Sequence, residues 1–193
     1  MLRTLLGVCF WVGHRRAFYR RHPLSEGAIV AELCNLINAN LPKDLELLCE
    51  QPYSQFVHVG DETSKFTERS RVDLCVCTLR DNARDAIKSC KMLIEVKRGS
   101  SSKASIKSDL ARLAEVKRQR PNLRVVLFLV SERSRPAPYV TPKGFRSKRL
   151  YALEEDDLFV CKVLSAKKAV PALTDLDTAH YACALEVLRK KKR

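Results

Sequence analysis

Asp73 and the triplet Glu95-Val96-Lys97 are charged residues in places where charge is expensive. Asp73 interrupts Arg71-Val72-Asp73-Leu74-Cys75-Val76-Cys77, and Glu95 and Lys97 close Met92-Leu93-Ile94-Glu95-Val96-Lys97; both runs are otherwise apolar and strand-like. An unpaired carboxylate buried in such a run costs several kcal/mol. The two-residue period of a strand puts Glu95 and Lys97 on one face. Two carboxylates and a lysine on neighbouring strands can hold a divalent cation beside an activated water, which is the chemistry of phosphodiester hydrolysis. The bland alternative is a structural ion pair between Asp73 and Lys97, with Arg71 and Arg98 pairing carboxylates at the strand ends.

The flanking sequence predicts elements that would position these residues. Pro23-Leu24-Ser25 reads as a helix start with Ser25 as N-cap, and the helix runs to about Asn40, before Pro42. Ile29, Val30, Leu33, Leu36, Ile37 and Leu41 share one face at about 100° per residue. Glu26 falls on that face, and Glu32 lies off its edge. Leu45 to Glu50 is a first strand, residues 58 to 70 are a loop with Gly60, and Arg71 to Leu79 is a second strand. A turn over 80 to 85 leads to a third strand, Lys91 to Lys97, which Gly99-Ser100-Ser101-Ser102 breaks. A helix from about Ala104 to Arg120 carries Ile106, Leu110, Leu113 and Val116 on one side and ends at Pro121-Asn122. Val125 to Val130 then reads as a central strand buried on both faces. The order helix, three strands, helix, strand makes the second helix a crossover into a parallel strand.

Composition narrows the partner class. The chain has 193 residues, 46% hydrophobic and 30% charged, as expected of a soluble globular domain. Its 36 Lys+Arg against 22 Asp+Glu give a formal charge of +14, which favours polyanions through counterion release. The eight cysteines form no Cys-x-x-Cys and several fall inside apolar runs, so buried free thiols in a reducing cytoplasm are expected rather than zinc ligands or a disulfide framework. Cys75 and Cys77 share a face with Asp73 and read as small core side chains. No Walker loop, dinucleotide fingerprint, nucleophile elbow or His-Glu-x-x-His occurs. His58 falls in a loop and His180 in a predicted helix, and neither is assigned a role.

The arrangement of Asp73 on one strand and Glu95-Val96-Lys97 on the next, framed by an acidic helix upstream and a helix-strand pair downstream, resembles the PD-(D/E)XK nuclease superfamily. The resemblance covers residues 24 to 131. Val72 stands where the family's proline would precede Asp73. The resemblance implies an α/β fold: a restriction-endonuclease-like αβββαβ core with a mixed central sheet flanked by helices. It implies that Asp73 and Glu95 bind Mg²⁺, with Mn²⁺ as a substitute and the Val96 backbone carbonyl nearby. Lys97 would orient the attacking water or stabilise charge on the phosphate. The upstream helix would add a carboxylate, Glu26 by its position on the face, with Glu32 in reserve. The helix after Glu-x-Lys would sit beside the site, so Lys103, Lys107 or Arg112 would be placed to touch phosphate.

Outside this core, residues 1 to 23 form an apolar and basic segment. Leu5 to Val12 is too short to span a bilayer and is followed by arginines with no small-x-small cleavage site, so neither membrane insertion nor a secretory signal is expected. A helix packing on the domain or a partner is the default reading, and a membrane-surface helix the alternative. Residues 132 to 193 read as a basic loop and a C-terminal extension of the same domain. Lys143, Arg146, Lys148 and Arg149 are candidate nucleic-acid contacts, Leu158 to Leu164 a strand, Ala172 to Leu188 a helix, and Arg189 to Arg193 a basic tail. The functional expectation is a Mg²⁺-dependent nuclease acting on DNA in the cytoplasm. The competing classes are a non-catalytic nucleic-acid-binding protein and a subunit of a larger defence or mobile-element complex. A homodimer or a partner protein is compatible with both.

Overall fold

The computed structural model describes residues 2–18, 22, 24–58, 66–80, 87–153, 156–169 and 176–190. The expected helix start at Pro23, most of the Gly60 loop, the turn after Arg80 and the last three basic residues lie outside these. The elements in order are α1 (Leu2–Phe18), α2 (Glu26–Asn38), β1 (Glu46–Pro52), β2 (Arg71–Leu79), β3 (Ile87–Arg98), α3 (Lys103–Gln119), β4 (Arg124–Ser131), β5 (Leu150–Leu153), β6 (Asp156–Ala169) and β7 (His180–Arg189). The seven strands form one sheet in the order β1-β2-β3-β4-β7-β6-β5. It is mixed, because β3 and β4 run parallel while the other neighbours run antiparallel.

The parallel pair follows from α3. Ser102 caps that helix by accepting the Ser105 N–H at 3.1 Å, and the helix then crosses over from the end of β3 to the start of β4. Its Ile106, Leu110, Leu113 and Val116 bury against one face of the sheet, beside Cys75, Leu93, Leu127 and Leu129. Leu74, Val76, Ile94 and Phe128 on the opposite face meet Ile29, Leu33 and Ile37 of α2 and Leu5, Val8 and Val12 of α1. The apolar N-terminal segment is therefore a helix seated on the domain. No helix among the described residues is long and apolar enough to cross a membrane.

The C-terminal region corrects the sequence reading. Where a helix was expected over 172 to 188, residues 172 to 175 lie outside the described residues and the chain from His180 is the strand β7, while the expected strand over 158 to 164 extends to Asp156–Ala169. β7 lies between β4 and β6, with Leu185 opposite Leu127 and Cys183 opposite Leu129. His180 to Leu185 are all buried, so the segment shows no alternation. Its alanines and leucines match helix propensity, but burial on both faces of a central strand overrides that preference. The extension is thus three strands continuing the same sheet, with no helix among its described residues.

The start of α2 is fixed from two sides. The Ser25 hydroxyl accepts the Ala28 N–H at 3.2 Å, and the Leu24 N–H donates to Glu132 Oε1 at 2.8 Å. Glu132 also faces Arg16 of α1 at 3.6 Å. Just past Lys97, Gly99 lets β3 pass close to β4: its N–H donates to the Val130 carbonyl at 2.7 Å, and a Cβ there would meet Ser131 Cβ at 2.5 Å. Gly99→Ala should therefore lower stability by about 1–3 kcal/mol, a fall in Tm of several degrees in thermal unfolding. Ser131→Gly in the same chain should recover part of the loss, and an unchanged Tm for Gly99→Ala alone would contradict this packing.

Candidate metal and phosphate site

The ladder between β2 and β3 stops at Leu74 opposite Ile94. The next pair in register would be Asp73 opposite Glu95. There the Val96 N–H donates to Asp73 Oδ2 at 2.6 Å, so a side chain takes the place of a main-chain acceptor. β3 stays paired to β4 through Arg98, while its β2 side carries the carboxylates. β1 is irregular at the same level. Glu50, which faces Asp73 between the pairs Cys49–Leu74 and Gln51–Val72, has φ +52°, a left-handed conformation that is costly for a glutamate.

Glu95 is 4% exposed and is held from two directions. The Tyr53 hydroxyl donates to its Oε1, and Arg112 lies 3.8 Å from the same oxygen. Tyr53 is itself fixed: Pro52 ends β1, the Tyr53 N–H donates to the Ser70 carbonyl at 3.1 Å, and its ring stacks on Phe66 at 4.4 Å. Burial, and then the neighbouring Asp73 carboxylate, push the Glu95 carboxyl up to about 8 despite Tyr53 and Arg112. Burial also raises Asp73, against the Val96 N–H and a hydrogen bond with Glu95, and the charges of Glu50 and Glu26 add to the rise. Two carboxyls of this kind share protons when no cation lies between them.

Lys97 is suspended between the two layers. Its Nζ lies 3.2 Å from Glu26 Oε1, on the first turn of α2, and 3.1 Å from Asp109 Oδ2 on α3. Burial favours the neutral amine, but Asp109 and Glu26 outweigh it and raise the pKa, so Lys97 is a cation at neutral pH. Arg112 pairs with both Asp109 and Glu95. The cluster thus holds four carboxyl groups (Asp73, Glu95, Glu26 and Asp109) and two cations (Lys97 and Arg112). Among the described residues no group of three or more His, Cys, Asp or Glu side chains is arranged to hold a metal ion. Asp73 and Glu95 do suit Mg²⁺, which is commonly bound by one or two carboxylates and completed by water and phosphate oxygens.

The structure thus brings Asp73, Glu95, Val96, Lys97, Glu26 and Arg112 into one place. Glu32 is half-buried further along α2, with no contact to the cluster among the described residues. Lys103 and Lys107 are exposed at the start of α3. Lys143, Lys148 and Arg149 are exposed in the segment leading to β5, and Arg146 there donates to the Val163 carbonyl at 3.1 Å; none of the four joins the cluster. Cys75 and Cys77 are buried free thiols of the core. His58 donates its main-chain N–H to Gln119, and His180 is buried at the start of β7, accepting the Arg133 N–H at 3.3 Å.

Asp109 and Tyr53 were not singled out by the sequence. Asp109 is 2% exposed and sits within the Ile106–Leu113 stripe, so a carboxylate inside an apolar helix face was its available signal. Tyr53 gave no signal beyond following Pro52.

No protein-family model, no curated protein and no solved structure matches this chain.

The raised Glu95 pKa carries a stability consequence. With an ordinary value of 4.5 and a folded value of about 8, the folded state keeps a proton that the unfolded state releases between them. Its stabilising contribution is full below the unfolded value and is lost as pH rises through the folded one. Glu95→Gln does not titrate and keeps an acceptor for Tyr53. Without divalent cations it should be more stable than the parent by about 1–3 kcal/mol near pH 9, with the gap closing toward pH 5. Denaturant unfolding at the two pH values decides this, and a pH-independent gap would contradict the assignment.

Proposed function

We propose that this chain is a Mg²⁺-dependent nuclease of the PD-(D/E)XK type, hydrolysing phosphodiester bonds, with DNA as the expected substrate. The observation that carries the reading is the surplus of carboxyl groups in the cluster. Four carboxyl groups stand with two cations where β2 and β3 part, and without a metal ion the surplus is met by protonation, Glu95 being pushed up to about 8. A self-contained structural ion-pair network would tend toward balance, because uncompensated buried charge is costly.

On this reading Asp73 and Glu95 would hold the Mg²⁺, which would polarise a phosphate oxygen and lower the pKa of an attacking water. The Val96 N–H fixes the rotamer of Asp73, and Tyr53 and Arg112 fix that of Glu95. Lys97 is protonated, so it serves the negative charge growing on the phosphate and does not act as a general base. Glu26 and Asp109 aim its ammonium and keep it charged. The formal charge of +14 supports attraction of the polyanion.

A non-catalytic nucleic-acid-binding protein is the second reading. It is favoured by the pairing of Lys97 and Arg112 with carboxylates of their own chain. Purified protein with Mg²⁺ or Mn²⁺ on supercoiled, linear, single-stranded and RNA substrates separates the two. Asp73→Asn, Glu95→Gln and Lys97→Ala should each reduce cleavage about a hundredfold or more while leaving nucleic-acid binding largely intact. A Lys97→Ala protein at full rate would sink the assignment of this site, and binding by the parent protein without cleavage of any of these substrates would leave the binding reading standing. Cleavage at subsaturating Mg²⁺ should rise with pH toward about 8, as Glu95 releases its proton to solvent and the carboxylate becomes free to take the cation, and flatten above it.

The contribution of α2 has its own test. Glu26→Gln should slow cleavage by about tenfold, because Lys97 keeps only Asp109, whereas Glu32→Gln should be near parent. Equal rates for the two variants, or a larger loss at Glu32, would show that Glu26 does not position Lys97.

A further inference from the structure

α3 has two working sides. Asp109 and Arg112 face the carboxylate cluster, while Lys103, Lys107 and Leu110 line a cleft of about 520 Å³ formed with the segment after β4 and with β5. Its floor is apolar, with Leu110, Leu129 and Leu153, and its wall is made by Pro136 and two tyrosines. Tyr139 and Tyr151 meet edge to face at 5.4 Å, and the Tyr151 hydroxyl is anchored on the Pro138 carbonyl. Lys103, Lys107, Arg118 and Arg135 also line the cleft, and no lining residue is acidic. Arg118 pairs with Glu115, and Arg135 with Asp177 at 2.7 Å, both from outside the cleft. Lys103 and Lys107 stand one helical turn apart, where like charges oppose each other.

An apolar, aromatic-walled cavity whose charged lining residues are all cationic suits a flat apolar group attached to an anion. It falls within the range of sites that take one small molecule and is far too small for a duplex. Its position narrows the ligand further. Gly99 and Ser101 line it, and Ser101 is four residues past Lys97, at most about 14 Å along the chain. A strand lying on the carboxylate cluster would reach this cleft within a few nucleotides.

We propose that the cleft between α3 and the Pro136–Tyr151 wall takes one unstacked base of the substrate strand, with Lys103 and Lys107 on the adjoining phosphates. The inference rests on the reading that this protein works on nucleic acid. It specifies a substrate that offers a base outside a helix, either a single strand or a flipped nucleotide. Stacking on tyrosine is tolerant of base identity, so the cleft selects for an unpaired state rather than for a sequence.

The test is a binding measurement in chelator, where no cleavage occurs and failure of the nuclease reading leaves the result interpretable. A short single-stranded oligothymidylate is titrated against the full chain, and then a series in which each nucleotide in turn is made abasic. One position should stand out, with affinity reduced roughly tenfold, and in Tyr139→Ala that position should no longer differ from the others. Ala137→Trp, at an exposed residue lining the cleft, should weaken the intact strand to the level of the best-placed abasic one. It guards against a folding defect in Tyr139→Ala. Thymidine 5′-monophosphate should compete with the strand only at much higher concentration, because it lacks the neighbouring phosphates. A flat abasic profile overturns the proposal, as does displacement by decanoate without displacement by thymidine 5′-monophosphate.

Discussion

The hydrogen bond from the Val96 N–H to Asp73 is the constraint on which the rest of the site depends. A main-chain donor at the edge of a broken ladder must find an acceptor, and a carboxylate accepting it is held more tightly than by a neutral partner. By taking that donor, Asp73 ends the pairing of β2 with β3 at Leu74–Ile94 and leaves Glu95 facing it across the gap. The strain of Glu50 on β1 lies at the same level. The sheet is therefore regular where it carries the core and irregular over a few residues where it carries charge.

Those few residues were legible because they violate the pattern around them. Asp73, Glu95 and Lys97 stand out in apolar strands, and β2 was bounded to the residue by the change from a polar loop to an apolar run. Ser25 marked the start of α2 through its capping hydroxyl, and Val125 to Val130 announced a strand buried on both faces. Where β7 is concerned the same logic failed. A strand covered on both sides loses its two-residue period, and an Ala- and Leu-rich run then looks like a helix. Nothing local says that β4 needs a second partner. The long-range pairing supplied by the fold settles it.

Partners that act through another residue are harder to see than the residues they serve. Glu26 was legible because it sat on an apolar helix face, and by that criterion Asp109 was equally visible, inside the stripe of α3. Tyr53 differs in kind. Its role comes from the ring stack on Phe66 and from the course of the chain after Pro52, which place a hydroxyl on Glu95. A tyrosine in a turn carries no sign of this, since what matters is where the chain goes next.

The position of Lys97 ties the site to both layers of the fold. Glu26 belongs to α2, which packs on one face of the sheet, and Asp109 to α3, which packs on the other. The ammonium is reached from both because β3 runs past the end of its pairing with β2, so its side chain stands at the edge of the sheet. Two helices that never need to touch are thereby coupled through one charge. Displacement of either removes one of the carboxylates that hold the lysine protonated against burial. The start of α2 is in turn pinned to Glu132, just past β4, and Glu132 faces Arg16 on α1. The N-terminal helix thus bears on the site without reaching it, through the placement of Glu26 over Lys97.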